Sequence, residues 1–404
     1  MSSAGPALAG PRLRPVPGAA SRAAARGWLA RDVLLPFALT RAALVAVAWF
    51  AFQFGQSWSY PRPLAAARGF SYTRQLWLDV WGRWDTIWYL DLAAWGYKPT
   101  GPLARAQSNI AFFPGYPLLV RAAHALLPSA WQGELGRFAV AVALSNLLAV
   151  AGLALVHAYV RERFSDPVLA RRTVLYLLAF PAGFFLSCAY SEALFLCCCA
   201  GAFLASARHR FWLAGLAAAA ASLTRPAGVL LAIPLAFHLL ESRGWDPRRA
   251  WPEALALLLP PLALAGHAAN LWHVTGDPLA LFHAQAAWGR HLTSPWRTVF
   301  FPEGYDPKMG PLEHAGLGLF LALGVWLLAR RHWAGGAFTL LSLVPIVTSG
   351  TLMSSLRFLC VLFPAFVALA KVCEREAADR SVLLLFGMGQ AALFAAWARF
   401  YWVS

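Results

Sequence analysis

The chain has 404 residues, 59% hydrophobic and only 13% charged. A soluble chain carries roughly 25% charged residues, so lipid must surround most of this one. Its formal net charge of +16 does not point to nucleic acid, because nearly all of it is arginine in short loops between apolar runs, where cytoplasmic retention accounts for it.

In chain order, residues 1–31 are rich in Pro, Ala, Gly and Arg. That composition cannot bury a core and predicts a disordered basic cytoplasmic tail. Apolar runs follow at about 33–54, 137–160, 173–189, 190–207, 211–224, 226–241, 252–273, 314–329, 333–349, 355–371 and 382–402. Against a hydrocarbon core of ~30 Å they predict an all-α polytopic membrane protein of about eleven transmembrane helices, forming one domain over residues 32–404. Pro181, Pro226, Pro260, Pro261, Pro345 and Pro364 should kink or break these helices. Cys188, Cys197, Cys198, Cys199, Cys360 and Cys373 have neither metal-ligand nor disulfide spacing, and are read as packing residues.

The segment 110–127, IAFFPGYPLLVRAAHALL, carries Pro114, Pro117, Arg121 and His124. It suits a helix lying in the membrane interface better than one spanning it. If it does not cross, the arginine-bearing loops 161–172, 208–210, 242–251, 330–332 and 372–380 all fall on the side of the basic N-terminus. If it crosses, all of them fall outside, against the positive-inside rule. The first arrangement leaves two large non-cytoplasmic loops, 55–109 and 274–313, both rich in aromatic residues. Loops of that length are usually functional.

Ionisable residues near membrane helices are rare and mark sites. On this topology Arg83, Asp85, Asp91, Lys98, Glu192, Arg225, Asp277, His283 and Arg357 converge on the outer face. The stretch RWDTIWYLDLAAWGY (83–97), read as a helix, carries Trp84, Trp88 and Trp95 as a stripe, with Asp85 and Tyr89 together on a neighbouring face. Such a helix could hold Asp85 against rings and lipid, where the charged carboxylate is disfavoured and basicity rises. An aromatic belt with a solvated aspartate at its edge fits the spacing equally well. Asn109 reads as a ligand for a sugar hydroxyl or as a helix N-cap. Glu192, in AYSEALF (189–195), needs a partner, which Arg225, in SLTRPAGVLL (222–231), could supply; a purely structural clamp is the competing reading. Arg357, in SSLRFL (354–359), is similarly placed, and arginines on the outer face imply an anion such as a lipid phosphate. The loop 275–290 offers Asp277, His283, Gln285 and Arg290. No metal-site spacing, nucleotide loop or Ser/His/Asp arrangement stands out.

The motifs RWDTIWYLDLAAWGY (83–97), SNIAFFPGYPLLVR (108–121), AYSEALF (189–195) and LTRPAGVLL (223–231), in this order, resemble the PIG-V family of membrane mannosyltransferases and their bacterial homologues. The resemblance implies the GT-C membrane glycosyltransferase fold and a sugar donor carried on a polyprenyl phosphate. It also implies an essential acidic residue in the first outer loop, a position that Asp85 matches. No second acidic residue adjoins Asp85, unlike some related enzymes, and no metal site is predicted.

The expected activity is inverting transfer of a hexose, mannose by resemblance, to a lipid or glycan acceptor. Asp85 acts as base. Arg225 and Arg357, with Arg83 or Lys98, hold the leaving phosphate. Trp84, Trp88, Tyr89, Asn109, Glu192 and His283 complete the expected substrate contacts. The Gly-, Ala- and Arg-rich composition suggests a bacterial inner membrane with the site facing out. The rival readings are a flippase or transporter for a lipid-linked solute, and a non-catalytic subunit.

Overall fold

The computed structural model describes residues 27–54, 71–99, 101–103 and 105–403. Most of the expected basic tail, and residues 55–70 of the first large loop, lie outside the described residues. The described part is helical, with no strand. The largest of its apolar clusters runs from Val33 to Val403.

Five helices among the described residues are long and apolar enough to span a bilayer: Leu29–Phe54, Glu134–Phe164, Glu253–Thr275, Gly310–Ala329 and Glu376–Ala398. Shorter apolar helices fill the space between them: Glu192–Ala207, Phe211–Ser222, Pro226–Ser242, Trp333–Val347 and Phe363–Val372. Several of the eleven expected runs are therefore broken helices. The run at 173–189 becomes helix α1 (Pro167–Ala179), a turn at Pro181 and a short 3-10 segment at Gly183–Leu186. Phe180, which precedes the proline, is extended as that position requires. Backbone freed by such a break must find partners at membrane depth. Gln390 donates to the carbonyls of Leu178 and Phe180, both at 2.8 Å, and Arg41 donates to Gly183 O at 3.0 Å and Ser187 Oγ at 2.8 Å. Gly183 lies so close to the preceding helix that a Cβ would meet Leu177 O at 2.6 Å.

Residues 27–31, expected in the tail, are helical instead. Trp28 stacks on His157 at 4.3 Å, and buried Asp32 lies 3.3 Å from the same ring, so this end is pinned to the bundle.

Helix α2 (Gly115–Ala125) is the segment expected in the interface. Its 11 residues span about 16 Å, half of what crossing needs. Arg121 on its surface donates to the carbonyls of Ala93 and Leu92, at 2.6 and 3.1 Å. It thereby closes the C-terminal end of helix α3 (Thr86–Trp95), where a cation is favoured.

The basic loops gather at one end of the bundle. Arg163 pairs with Glu241 at 2.7 Å, Arg172 with Asp379 at 3.0 Å, Lys371 with Asp166 at 3.4 Å, and Arg208 with Glu162. Glu192 opens the helix whose other end reaches Arg208, and Arg225 follows the helix Phe211–Ser222 whose other end begins after Arg210.

Candidate active site

Asp85 is not within a helix, as the 83–97 stripe implied, but at the N-cap of α3. Trp84 takes a left-handed φ of 49°, which stops the helix from extending backwards. An N-cap aspartate normally accepts from its own helix, yet Asp85 makes no such bond. Its carboxylate turns to Arg357, whose Nη1 lies 2.7 Å from Oδ2. Its backbone is fixed separately: the Asp85 N–H donates to Tyr190 Oη at 2.9 Å, and that hydroxyl donates to Arg83 O at 3.0 Å.

Glu192 opens helix α4 (Glu192–Ala207), where the helix dipole favours a carboxylate. It is fully buried, a position tolerable only with compensation. Arg225 Nη2 supplies this at 2.8 Å, and Arg357 Nε lies 3.4 Å from the same oxygen, Oε1. Arg225 reaches inward from an extended residue between helix Phe211–Ser222 and the 3-10 turn Pro226–Leu231. Arg357 sits on a short helix, Ser355–Leu359, that begins after Ser354 at φ 71°.

The result is a buried chain of charges, Asp85–Arg357–Glu192–Arg225. The Phe358 ring lies against three guanidiniums: Arg225 at 4.9 Å, Arg290 at 5.0 Å and Arg357 at 5.4 Å. Arg290 donates to Met353 O at 2.9 Å. Among the described residues, no carboxylate lies within ion-pair distance of it. Burial, then Arg357, lowers its guanidinium to about 10, so it stays charged at neutral pH. Three guanidiniums thus face the two carboxylates Asp85 and Glu192, an excess suited to an anion. Glu192 Oε2 and Arg357 Nε are buried without hydrogen-bond partners.

Aromatic residues wall this cluster. Tyr89 donates to or accepts from Ser191 Oγ at 3.0 Å and packs edge-on against Phe112 and Tyr116. Trp88 meets Phe112 and Trp288. Trp288 comes from the second large loop, which Gln285 ties down by donating to Ala111 O at 2.9 Å.

The structure therefore brings together Asp85, Tyr89, Glu192, Arg225 and Arg357, with Trp88 at the wall. It gives the remaining expected contacts other partners. Arg83 is turned away onto buried Asp79, at 2.7 Å, with its guanidinium 4.0 Å over Phe400. Asp79 also accepts backbone N–H bonds from Ser71, Tyr72 and Thr73, so this pair organises the loop, while Arg83 Nε and Nη2 are buried without hydrogen-bond partners. Lys98 lies over the Trp95 ring. Trp84 packs edge-on against Trp402. Asn109 spends both amide hydrogens on Asp91 and Gly96 O, at 2.7 and 2.9 Å, and accepts from Lys98 N, fastening the turn at Gly96. His283 pairs with Asp277 at 2.7 Å in an exposed loop, and this bond holds the Asp277 carboxyl below its ordinary range.

Tyr190, Ser191, Arg290 and Phe358 escaped the sequence reading as site residues. Tyr190 and Ser191 lie within AYSEALF and Phe358 within SSLRFL, while Arg290 closes the 275–290 loop. Among the described residues, no group of three His, Cys, Asp or Glu is placed to hold a metal.

No protein-family profile matches the chain. Over 211 residues, 50% of this chain and 40% of the relative, it is 33% identical to GPI alpha-1,6-mannosyltransferase 2 of Mus musculus. Among solved structures it is similar to ArnT from Cupriavidus metallidurans bound to undecaprenyl phosphate, with a TM-score of 0.50 at 18% identity over 87% of this chain and 62% of that one. The likeness to ArnT is one of helical fold. A further likeness is to an Archaeoglobus fulgidus oligosaccharyltransferase tethered with an acceptor peptide, with a TM-score of 0.46 at 11% identity over 90% of this chain and 55% of that one. The chain spans less than two thirds of the length of each of these proteins.

Proposed function

We propose that this multi-pass membrane protein is a glycosyltransferase that moves a hexose, mannose by its relative, from a polyprenyl-phosphate donor to a lipid or glycan hydroxyl. The observation that carries the reading is the Asp85–Arg357 pair, 2.7 Å apart. A base and a phosphate-binding cation touch, beside two further guanidiniums. The acceptor oxygen attacks the anomeric carbon as its proton passes to the Asp85 carboxylate. The bond from that carbon to the phosphate oxygen breaks on the opposite side, and the phosphate leaves with the electron pair. One displacement inverts the centre. Arg225, Arg290 and Arg357 stabilise the charge that develops on the phosphate, where preorganised donors act most strongly. As the phosphate draws Arg357 toward itself, the Asp85 carboxylate is released to take the proton.

Membranes containing the chain, given labelled polyprenyl-phosphate mannose, should form a labelled glycolipid or glycan. Release of free polyprenyl phosphate should match it one for one. Movement of intact donor between leaflets without sugar release would favour a flippase and overturn this reading.

The site end is proposed to face the outside of a bacterial inner membrane, with the basic end in the cytoplasm. In a cysteine-free background, single cysteines replacing Ser71 and Ser242 should react with an impermeant thiol reagent from opposite sides. Labelling from one side overturns the orientation.

A further inference from the structure

At the basic end a narrow, open-mouthed cleft, whose lining shares no residue with the Asp85 cluster, lies among helix ends. Arg163 and Arg331 project into it, with Glu241 as its carboxylate. Arg163 is paired with Glu241 at 2.7 Å. No carboxylate lies within ion-pair distance of Arg331 among the described residues. The cleft therefore holds one guanidinium in excess.

Its mouth carries two exposed tryptophans, Trp245 (52% exposed) and Trp333 (40%), a residue type that settles at the headgroup level of a bilayer. His332, beside Arg331, packs edge-on against Phe164 at 5.1 Å, leaving a wall that is partly apolar. The floor is lined by Leu327 and Val367. A free, strongly hydrated anion gains nothing from such walls. An amphipathic ligand with one negative charge matches both the walls and the charge.

We propose that this cleft binds the headgroup of an anionic phospholipid from the leaflet at the basic end, with Arg331 on the phosphodiester. Basic pockets between helix ends recognise lipid headgroups in this way. The inference uses the membrane fold and not the transferase reading, so the two can fail separately.

The test uses the full chain purified in detergent. Lipid adducts are counted by native mass spectrometry during titration with phosphatidylglycerol or phosphatidylcholine. Phosphatidylglycerol should bind about tenfold more tightly, the scale of one charge-assisted contact. Arg331 has a left-handed φ of 60°. Arg331→Asn keeps a residue that tolerates this backbone and removes the charge, and Arg331→Gly gives a second charge-free variant without strain. Both should lose that preference while keeping wild-type thermal stability. Arg248→Asn, in an exposed loop of the same end, should retain it. Equal binding of the two lipids overturns the proposal, as does wild-type preference in folded Arg331 variants. Displacement of phosphatidylglycerol by a modest excess of inorganic phosphate also overturns it, since the cleft would then read the anion alone.

Discussion

Asp85→Asn should lower turnover by roughly 10²–10⁴-fold, the usual contribution of a positioned base. The substitution keeps size and an acceptor oxygen for Arg357 but removes proton acceptance. Folding should survive, because Arg357 retains Glu192 at 3.4 Å and the Asp85 backbone is held independently by Tyr190. The measurement is product formation per folded molecule, with the melting temperature and donor binding recorded beside it. Full activity in this variant would sink the mechanism.

Asp91→Asn is the internal control. The carboxylate of Asp91 accepts from Asn109 at 2.7 Å and supports the turn after α3, away from the arginine cluster. An amide there can still accept one hydrogen bond, so the expected loss is less than tenfold, in keeping with a net hydrogen-bond contribution of about 1 kcal/mol. Equal losses at Asp85 and Asp91 would point to a shared folding defect.

The helical membrane class was legible because composition and run length answer to the bilayer alone. Convergence of Asp85, Glu192, Arg225 and Arg357 at one end was legible from topology, since charges at membrane boundaries are few. What could not be read was which charge pairs with which. Arg83 and Arg357 look alike as outer arginines, yet the first pairs with Asp79, four residues before it, and the second with two carboxylates far away in sequence. Periodicity also misplaced Asp85 within a helix. Trp84 at positive φ makes that helix begin only at Thr86, one residue after Asp85, and no spacing pattern reports such a residue. The break at Pro181 was expected from the proline itself, but not which side chain would satisfy the freed carbonyls: Gln390, more than 200 residues away, donates to both Leu178 O and Phe180 O.

Arg225 and Arg357 should separate in their consequences, although both face the donor phosphate in the proposed reaction. Arg225→Ala should weaken donor binding by roughly 10–100-fold, the loss of a hydrogen bond to a charged group, with acceptor affinity little changed. Glu192 keeps Arg357 in that variant, so stability should fall modestly. Arg357→Ala removes the cation shared by Asp85 and Glu192. It leaves one buried carboxylate unpaired and the other dependent on Arg225, and breaking a buried pair costs about 3–5 kcal/mol. This variant should lose stability as well as donor affinity. Arg357→Lys is the decisive substitution, because it keeps the charge but cannot reach a carboxylate and a phosphate together through a planar fork. Stability should largely return while donor affinity stays reduced about tenfold or more. Isothermal titration with a short-chain polyprenyl phosphate, alongside thermal melts, measures both quantities. If Arg225→Leu and Arg357→Lys both bind the donor as the wild type does, the arginines are a structural clamp and the anion pocket is wrong.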